Sequence, residues 1–148
     1  MTMEEVIIVS SEVCYLSNVI SFVETTCKQA GLSEKNFIPI AVIIEEVFTN
    51  IVRYAYGEGI VGTIEINCRI HLDARKIEIV FVDDGKAYNP LEQKDPDITL
   101  PVEERTVGGL GILIVKKWVD DIRYVYEHGR NHLSIEKTLE CVSSIDHG

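Results

Sequence analysis

Two neighbouring segments alternate strictly between apolar and polar residues, and this pattern constrains the fold more than any other part of the chain. The apolar positions are Ile64, Ile66, Cys68 and Ile70 in the first segment and Ile77, Ile79 and Phe81 in the second. Such alternation places every second side chain on one face of a β-strand. Residues 63–72 and 76–82 are therefore predicted to be two half-buried strands, joined by the turn Asp73-Ala74-Arg75.

The remaining segments predict helices and further strands around this pair. Residues 4–10 read as a strand, with Ser10 or Ser11 as the N-cap of a helix over residues 12–30 that ends at Gly31. Ser33 is expected to begin a second helix, over residues 37–54, and three glycines between residues 57 and 62 end it. Residues 84–108 read as a long loop, residues 110–119 as a helix, and residues 121–127 and 132–139 as a last hairpin.

Together these segments predict a single α+β domain over residues 1–148, with a tail at 141–148 that frays. The fold class is a two-layer α/β sandwich, in which helices lie on one face of a mixed, mostly antiparallel sheet. The net charge of −10 argues against binding to nucleic acid or to an anionic membrane surface. The absence of a long apolar run and the four widely spaced cysteines favour a cytoplasmic protein with reduced thiols.

The first candidate functional pair is Glu46 and Asn50, which lie four residues apart in a strongly apolar helical segment. This spacing places both side chains on one face of the helix, one turn apart. An amide oxygen can ligate Mg²⁺, and a carboxylate one turn away can accept a proton from a hydroxyl group or from water. The alternative is a polar pair that is exposed or satisfied by hydrogen bonds and has no chemical role.

The second candidate is Asp83-Asp84-Gly85, at the end of the second alternating strand. A carboxylate there accepts hydrogen bonds only, so it can bind the exocyclic amino group of adenine. Gly85 allows a ligand or another backbone to approach closely. The alternative is an ordinary turn, because Asp-Gly is a common turn dipeptide.

The third candidate is the glycine cluster Gly108-Gly109-Leu110-Gly111, which leads into a predicted helix. Glycines at a helix N-terminus expose backbone N–H groups that can cradle phosphate, although a flexible hinge has the same composition. Arg105 lies just upstream and can reach a terminal phosphate. A solvated loop arginine is the alternative. His128 and His132 flank a predicted turn without nearby cysteines and do not resemble a metal site.

In this order, the three motifs resemble the GHKL ATPases, and in particular the small serine kinases that regulate sigma factors by partner switching. EVFTNIVRYAY (residues 46–56) resembles their N box, DDGKAYNP (83–90) their adenine box, and GGLGILIVKK (108–117) their glycine box. RNHLSIEK (130–137) is similar to the final strand of the family. Two positions depart from the pattern. Tyr54 stands where these kinases often have histidine, and Ala87 stands where histidine kinases have a second glycine.

The resemblance implies the Bergerat ATP-binding fold, with ATP and Mg²⁺ as cofactors. It implies that Glu46 is the base toward a serine or threonine hydroxyl and that Asn50 holds Mg²⁺, while residues 86–108 form an ATP lid that carries Arg105. The residues expected to contact the nucleotide are Asn50, Asp83, Gly85, Ala87, Gly108, Gly109, Leu110 and Gly111.

Three functions are compatible with these residues. The first is a serine/threonine protein kinase and anti-sigma factor that phosphorylates an anti-sigma-factor antagonist, binds a sigma factor and forms a homodimer, as the resemblance implies. The second is a nucleotide-gated protein that sequesters a partner without transferring phosphate. The third is simple hydrolysis of ATP, with Glu46 activating water.

Overall fold

A computed structural model describes residues 1–92 and 109–139 of the 148-residue chain. The strands are β1 (Thr2–Ser10), β2 (Thr63–His71), β3 (Lys76–Asp83), β4 (Asp121–Glu127) and β5 (Arg130–Thr138). The α-helices are α1 (Leu16–Gln29), α2 (Glu34–Asn50) and α3 (Gly109–Trp118). Short 3₁₀ turns cover Val13–Tyr15 and Pro90–Glu92, and a π-helix covers Ile51–Tyr56.

The five described strands form one sheet in the order β1-β2-β3-β5-β4, and each of its four pairings is antiparallel. The predicted alternation sets the register. Ile66 lies opposite Phe81, and Ile79 lies between Cys68 on one side and Ile135 on the other. The apolar residues of β2 and β3 thus share one face, which the helices cover. The predicted α+β fold is confirmed.

The core lies between this face of the sheet and helices α1 and α2. From the helices it takes mainly aliphatic side chains that are almost completely buried: Val19, Val23, Ile40, Ile43, Ile44, Val47 and Phe48. Burying one such side chain contributes roughly 1.5–3 kcal/mol. None of the described helices combines the length and apolar character that crossing a membrane requires.

The predicted capping of the first helix by Ser10 or Ser11 is wrong. Ser10 belongs to β1, and α1 begins at Leu16 without a side-chain cap. The buried Ser11 hydroxyl instead accepts a hydrogen bond from the backbone N–H of Gly62 at 2.8 Å, and the N–H of Ser11 donates to the Gly62 carbonyl at 2.9 Å. The Ser11 hydroxyl was predicted from local sequence to cap a helix. In the structure it bonds instead to a residue that is distant in the chain.

The second helix continues beyond its α-helical part as a π-helix. Its last turns, Ile51–Tyr56, are π-helical, and the N–H of Gly57 donates to the carbonyl of Val52, five residues earlier. Gly57 ends the segment with a φ of +87°, a conformation that glycine adopts at no steric cost. Short π-helical segments occur frequently at functional sites. This one directly follows Asn50.

Two predicted segments fall largely outside the described residues. Of the predicted lid, 86–108, residues 86–92 are described and contain the 3₁₀ turn Pro90–Glu92. The predicted frayed tail, 141–148, lies entirely outside them. Both remain predictions.

Candidate nucleotide-binding site

Asn50 is the most informative polar residue of α2 because its side-chain nitrogen is buried. Only 5% of the residue is exposed, and its Nδ2 has no hydrogen-bond partner among the described residues. Among the described residues one other buried side-chain atom has none, Oδ1 of Asn67 on β2. An unsatisfied buried polar group costs about 1–3 kcal/mol, a penalty that a bound ligand would remove. Because Nδ2 is a hydrogen-bond donor, it suits a phosphate oxygen, whereas Oδ1 of the same amide is the atom that can ligate a cation.

Glu46 lies one turn before Asn50 and is half-buried. Burial raises the pKa of its carboxyl group, the neighbouring Glu45 carboxylate raises it further, and the Arg53 guanidinium lowers it. A raised pKa makes the carboxylate a stronger proton acceptor than an exposed glutamate. Glu45 is exposed, as its position about 100° around the helix predicts.

Gly111, in the first turn of α3, contacts the carboxylate of Glu46. A β-carbon built on Gly111 would lie 1.9 Å from Oε2 and 2.8 Å from Cδ of Glu46. Any larger residue at this position would displace the carboxylate. The glycine box thus brings the N-terminal turn of a helix, where the intrahelical pattern leaves the first N–H groups without helical partners, against the carboxylate of the N box.

At the end of β3, Asp83 is only 2% exposed, and two donors hold its carboxylate. Nδ2 of Asn131 lies 2.8 Å from Oδ1 of Asp83, and the backbone nitrogen of Gly85 lies 2.9 Å from the same atom. Burial raises the pKa of Asp83, while these two hydrogen bonds act in the opposite direction. Because both donors use Oδ1, Oδ2 is the atom available to a ligand such as the adenine amino group.

Sequence reasoning did not identify Asn131 as a site residue, although it joins both sides of the adenine box. Its Nδ2 donates to Asp83 and to the carbonyl of Lys86, the latter at 2.9 Å. Its Oδ1 accepts hydrogen bonds from the backbone N–H of Tyr88 and from the hydroxyl of Tyr124. The pairing of β3 with β5 places Asn131 directly opposite Asp83. Predicting the antiparallel register of these two strands would therefore have identified Asn131.

Gly85 fits against the π-helix so closely that no side chain could replace its hydrogen. A β-carbon at Gly85 would lie 2.6 Å from the carbonyl oxygen of Ala55, and the next residue, Lys86, donates its N–H to that oxygen at 2.9 Å. Tyr54, the departure from the kinase pattern, stacks on Tyr88 with ring centroids 5.3 Å apart. The N box and adenine box are therefore in direct contact.

Residues from all three motifs and from β4 and β5 line one narrow cavity. They are Val47, Asn50, Ile51, Ala55, Asp83, Tyr88, Pro90, Ile112, Tyr124, Asn131 and Leu133. The cavity volume is about 10 Å³, enough for one water molecule. Adenine would have to displace lining side chains, and the rings of Tyr88 and Tyr124 are the largest among them.

Asn50 and Asp83 therefore line the same cavity, while Glu46 contacts Gly111 and Gly85 contacts Ala55 beside it. Ala87 is exposed and does not line the cavity. Gly109 and Leu110 begin α3, while Gly108 and Arg105 lie outside the described residues. The part of the chain that the structure describes holds no cluster of three or more His, Cys, Asp or Glu residues suited to a metal ion.

The chain is similar in sequence to known proteins. Serine-protein kinase RsbW from Bacillus mycoides (strain KBAB4) is 32% identical over 103 residues, which are 67% of this chain and 62% of the relative. RsbW from Bacillus thuringiensis subsp. konkukian is 33% identical over 103 residues, with the same coverage. The match thus spans less than two thirds of the length of these relatives.

A solved structure shares the fold. The crystal structure of the RsbU and RsbW domains of Rv1364c from Mycobacterium tuberculosis superimposes with a TM-score of 0.65 at 14% identity, covering 93% of this chain and 32% of the other. The histidine kinase-like ATPase domain family matches residues 9–137, which include the N, adenine and glycine boxes. The chain therefore belongs to the histidine kinase-like ATPase domain family, as the resemblance of its motifs to the GHKL ATPases predicts.

Proposed function

We propose that the protein is an ATP- and Mg²⁺-dependent serine/threonine protein kinase whose substrate is an anti-sigma-factor antagonist. One observation carries the proposal: the half-buried Glu46 carboxylate lies against Gly111 of the glycine box, one helical turn from the buried amide of Asn50, whose Nδ2 has no partner among the described residues. A proton acceptor and an amide thus lie beside a helix N-terminus, and Asn50 lines the same cavity as Asp83.

In this proposal each group has one task. Asp83 accepts the adenine amino group through Oδ2, while Asn131 holds Oδ1. The first-turn N–H groups of α3 bind phosphate oxygens. Asn50 offers its amide oxygen to Mg²⁺, which supplies charge neutralisation to the phosphates when it is bound.

Glu46 acts on the protein substrate. Its carboxylate accepts the proton of a serine or threonine hydroxyl, the hydroxyl oxygen forms a bond to the γ-phosphorus, and the bond from that phosphorus to the β-bridging oxygen of ATP breaks. The products are a phosphoprotein, ADP and a proton held by Glu46. Such transfers depend mainly on positioning and on electrostatic stabilisation, so a base held beside the glycine box suits them. Arg105 in the predicted lid is the proposed cation for the transferring phosphate.

The choice of a protein kinase over an ATPase follows the relatives, which are named serine-protein kinases. The anti-sigma-factor antagonist as substrate, a sigma factor as second partner and a homodimer as assembly follow from the resemblance of the boxes.

The test is transfer of label from γ-labelled ATP with Mg²⁺ into proteins of the source-cell extract. Wild type is compared with Glu46→Gln and with the matched control Glu45→Gln, whose side chain is exposed on the same helix. We expect one small protein to be labelled by wild type and by Glu45→Gln but not by Glu46→Gln. Equal labelling by wild type and Glu46→Gln would reject Glu46 as the base.

The narrow cavity also favours a second function, a nucleotide-gated binder that transfers no phosphate. A cavity of about 10 Å³ must reshape around adenine, so the bound and free proteins would present different surfaces. This alternative predicts partner affinity that depends on nucleotide, without labelling. Partner affinity that is identical with ATP, ADP and no nucleotide would exclude it.

A further inference from the structure

A second, larger concavity lies beside the candidate base, outside the nucleotide cleft. This groove has a volume of about 590 Å³, within the range of peptide- and ligand-sized sites. Three segments line it: Ser11, Glu12 and Val13 before α1; Thr49, Val52 and Arg53 from α2 and the π-helix; and the loop Gly57, Glu58, Gly59, Ile60 and Val61.

The walls of the groove expose large aliphatic side chains to solvent. Val13 is 56% exposed, Ile60 60% and Val61 59%, although most aliphatic residues of the described chain are in the core. Exposed apolar side chains gathered around a concavity and rimmed by charge mark interaction sites more often than scattered ones do. The charged rim here consists of Glu12, Glu58 and Arg53.

The groove is preformed rather than a gap between loose loops. Ser11 and Gly62 exchange two hydrogen bonds that tie the first wall to the third. The phenol of Tyr56 donates to the carbonyl of Thr63 at 2.6 Å and accepts the N–H of Asp84 at 2.9 Å. A β-carbon at Gly62 would lie 2.5 Å from the Tyr56 ring, so this wall is packed directly on the residue that reaches the adenine box.

Two residues that line the groove are neighbours of Glu46. Thr49 lies three residues after Glu46, a spacing that makes the two side chains neighbours on the helix surface. The Arg53 guanidinium is near enough to lower the pKa of Glu46 by its charge. The Glu46 carboxylate also contacts Gly111 of the glycine box. Glu46 therefore has neighbours in both the groove and the glycine box, as a base that serves a protein substrate and a nucleotide requires.

We propose that this groove binds an extended segment of the phosphoacceptor protein, one with aliphatic side chains and a lysine or arginine near its serine or threonine. The aliphatic side chains would cover Val13, Ile60 and Val61, and the cation would meet Glu58 or Glu12 on a protein whose net charge is −10. The inference rests on the proposed kinase function and adds to it where the protein substrate lies and what its chemistry is.

The experiment uses a library of immobilised twelve-residue peptides with a central serine and randomised flanks, phosphorylated with γ-labelled ATP and Mg²⁺. The variants are Ile60→Asp and Val61→Asp in the groove, with Val125→Asp as the matched control, an exposed aliphatic residue on β4. Wild type is expected to select aliphatic residues with a nearby lysine or arginine. The groove variants should raise KM at least tenfold with little change in kcat, and Val125→Asp should change neither.

A charge reversal sharpens the test. Glu58→Lys is expected to shift the preferred flanking charge from basic to acidic. No selection by wild type, or equal KM values for wild type and Ile60→Asp, would overturn the groove as the substrate site. A dimeric wild type that becomes monomeric in Ile60→Asp would also overturn it, because the groove would then be an interface between copies.

Failure of the groove and failure of the kinase proposal give different results. If extract proteins are labelled in a Glu46-dependent manner but the groove variants label them as well as wild type does, the groove is wrong and the kinase proposal stands. If wild type labels neither peptides nor extract proteins, both proposals fail together. Nucleotide affinity of Ile60→Asp, measured by calorimetry, should equal that of wild type in every case.

Discussion

Gly111 approaches Glu46 so closely that a β-carbon at the glycine would overlap Oε2 of the glutamate, at 1.9 Å. The two residues come from motifs 65 positions apart in the chain. Their contact joins the N box to the glycine box, and it gives the glycine a role that a flexible hinge would not have. The first prediction follows from it.

Gly111→Ala should impair catalysis much more than stability. The obstructing atoms are the end of a flexible side chain, so the carboxylate can rotate away at a cost below about 1 kcal/mol. A displacement of about 1 Å at a reacting group can lower the rate roughly 100-fold. We expect a fall of that order in kcat, with an unchanged denaturation midpoint in urea. A large loss of stability would show that the backbone, rather than the carboxylate, gives way.

The pH dependence of kcat should report the environment of Glu46. Its raised pKa means that the active, ionised form is lost as pH falls through a value above that of an ordinary glutamate. Glu45→Gln removes a neighbouring negative charge and should move this acid limb to lower pH. Arg53→Gln removes a positive charge and should move it to higher pH. If both variants moved the limb in the same direction, another group would be titrating.

Asp83→Asn should abolish nucleotide binding without unfolding the protein. Because Asn131 holds Oδ1, the substituted amide would place an N–H₂ donor where the adenine amino group must donate. We expect ATP affinity to fall roughly 100-fold or more by calorimetry. The control is Asp84→Asn, an exposed carboxylate whose described side-chain partner is Arg130, and it should bind ATP normally.

Asp83→Asn should also change how the free energy of unfolding depends on pH. The pKa of Asp83 is raised in the folded state, so its contribution to stability is complete below its unfolded pKa and is lost as pH rises through the folded pKa. Asp83→Asn lacks this titration. Its free energy of unfolding should therefore increase relative to that of wild type as pH rises above the ordinary pKa of an aspartate and through the raised one. A relative decrease would show that Asp83 is stabilised as the anion.

Asn131→Ala should damage both the fold and the site, because one side chain makes four hydrogen bonds. It leaves several buried groups without partners, and we expect a loss of about 2–4 kcal/mol in the free energy of unfolding. ATP affinity should fall as well, since only the backbone N–H of Gly85 then holds Asp83 in place. Ser134→Ala on the same strand is the control, and it should lose less than about 1 kcal/mol.

Thiol labelling should distinguish the exposed cysteine from the buried ones. Burial raises the pKa of Cys27 and Cys68 to about 12, so almost no reactive thiolate exists near neutral pH, whereas Cys14 is exposed. In a Cys141→Ser background, one thiol should react within minutes with a disulfide reagent at about pH 8. The other two should react only as the protein unfolds. Rapid reaction of all three would contradict the packing of α1 on β2.

The sheet and the order of the boxes could be predicted from local patterns, whereas the contacts between distant segments could not. Alternation from Ile64 to Ile70 determines which face of β2 is buried, because a shift of one residue would expose every isoleucine. The carboxylates and glycines of the boxes are likewise visible in the sequence. Asn131 is not, since its role depends on lying opposite Asp83 in a sheet whose strands come from both ends of the chain.

The start of α1 is a second example of a contact that local sequence does not predict. A serine before an amphipathic segment ordinarily predicts an N-cap, but the hydroxyl of Ser11 bonds to Gly62, 51 residues away. The π-helix after Asn50 could not be predicted either, because residues 51–56 continue the apolar pattern of α2. Helical periodicity reports which side is buried and does not report how tightly the backbone is wound.

The pairing of Asp83 with Asn131 links two strands in the middle of the sheet, β3 and β5. The two residues lie at neighbouring strand ends, so a nucleotide bound there would hold both strands. By mass action it would add about 2.7 kcal/mol to the free energy of unfolding at a concentration roughly 100 times its Kd. The folded protein would then resist proteolysis more strongly with nucleotide bound than without it.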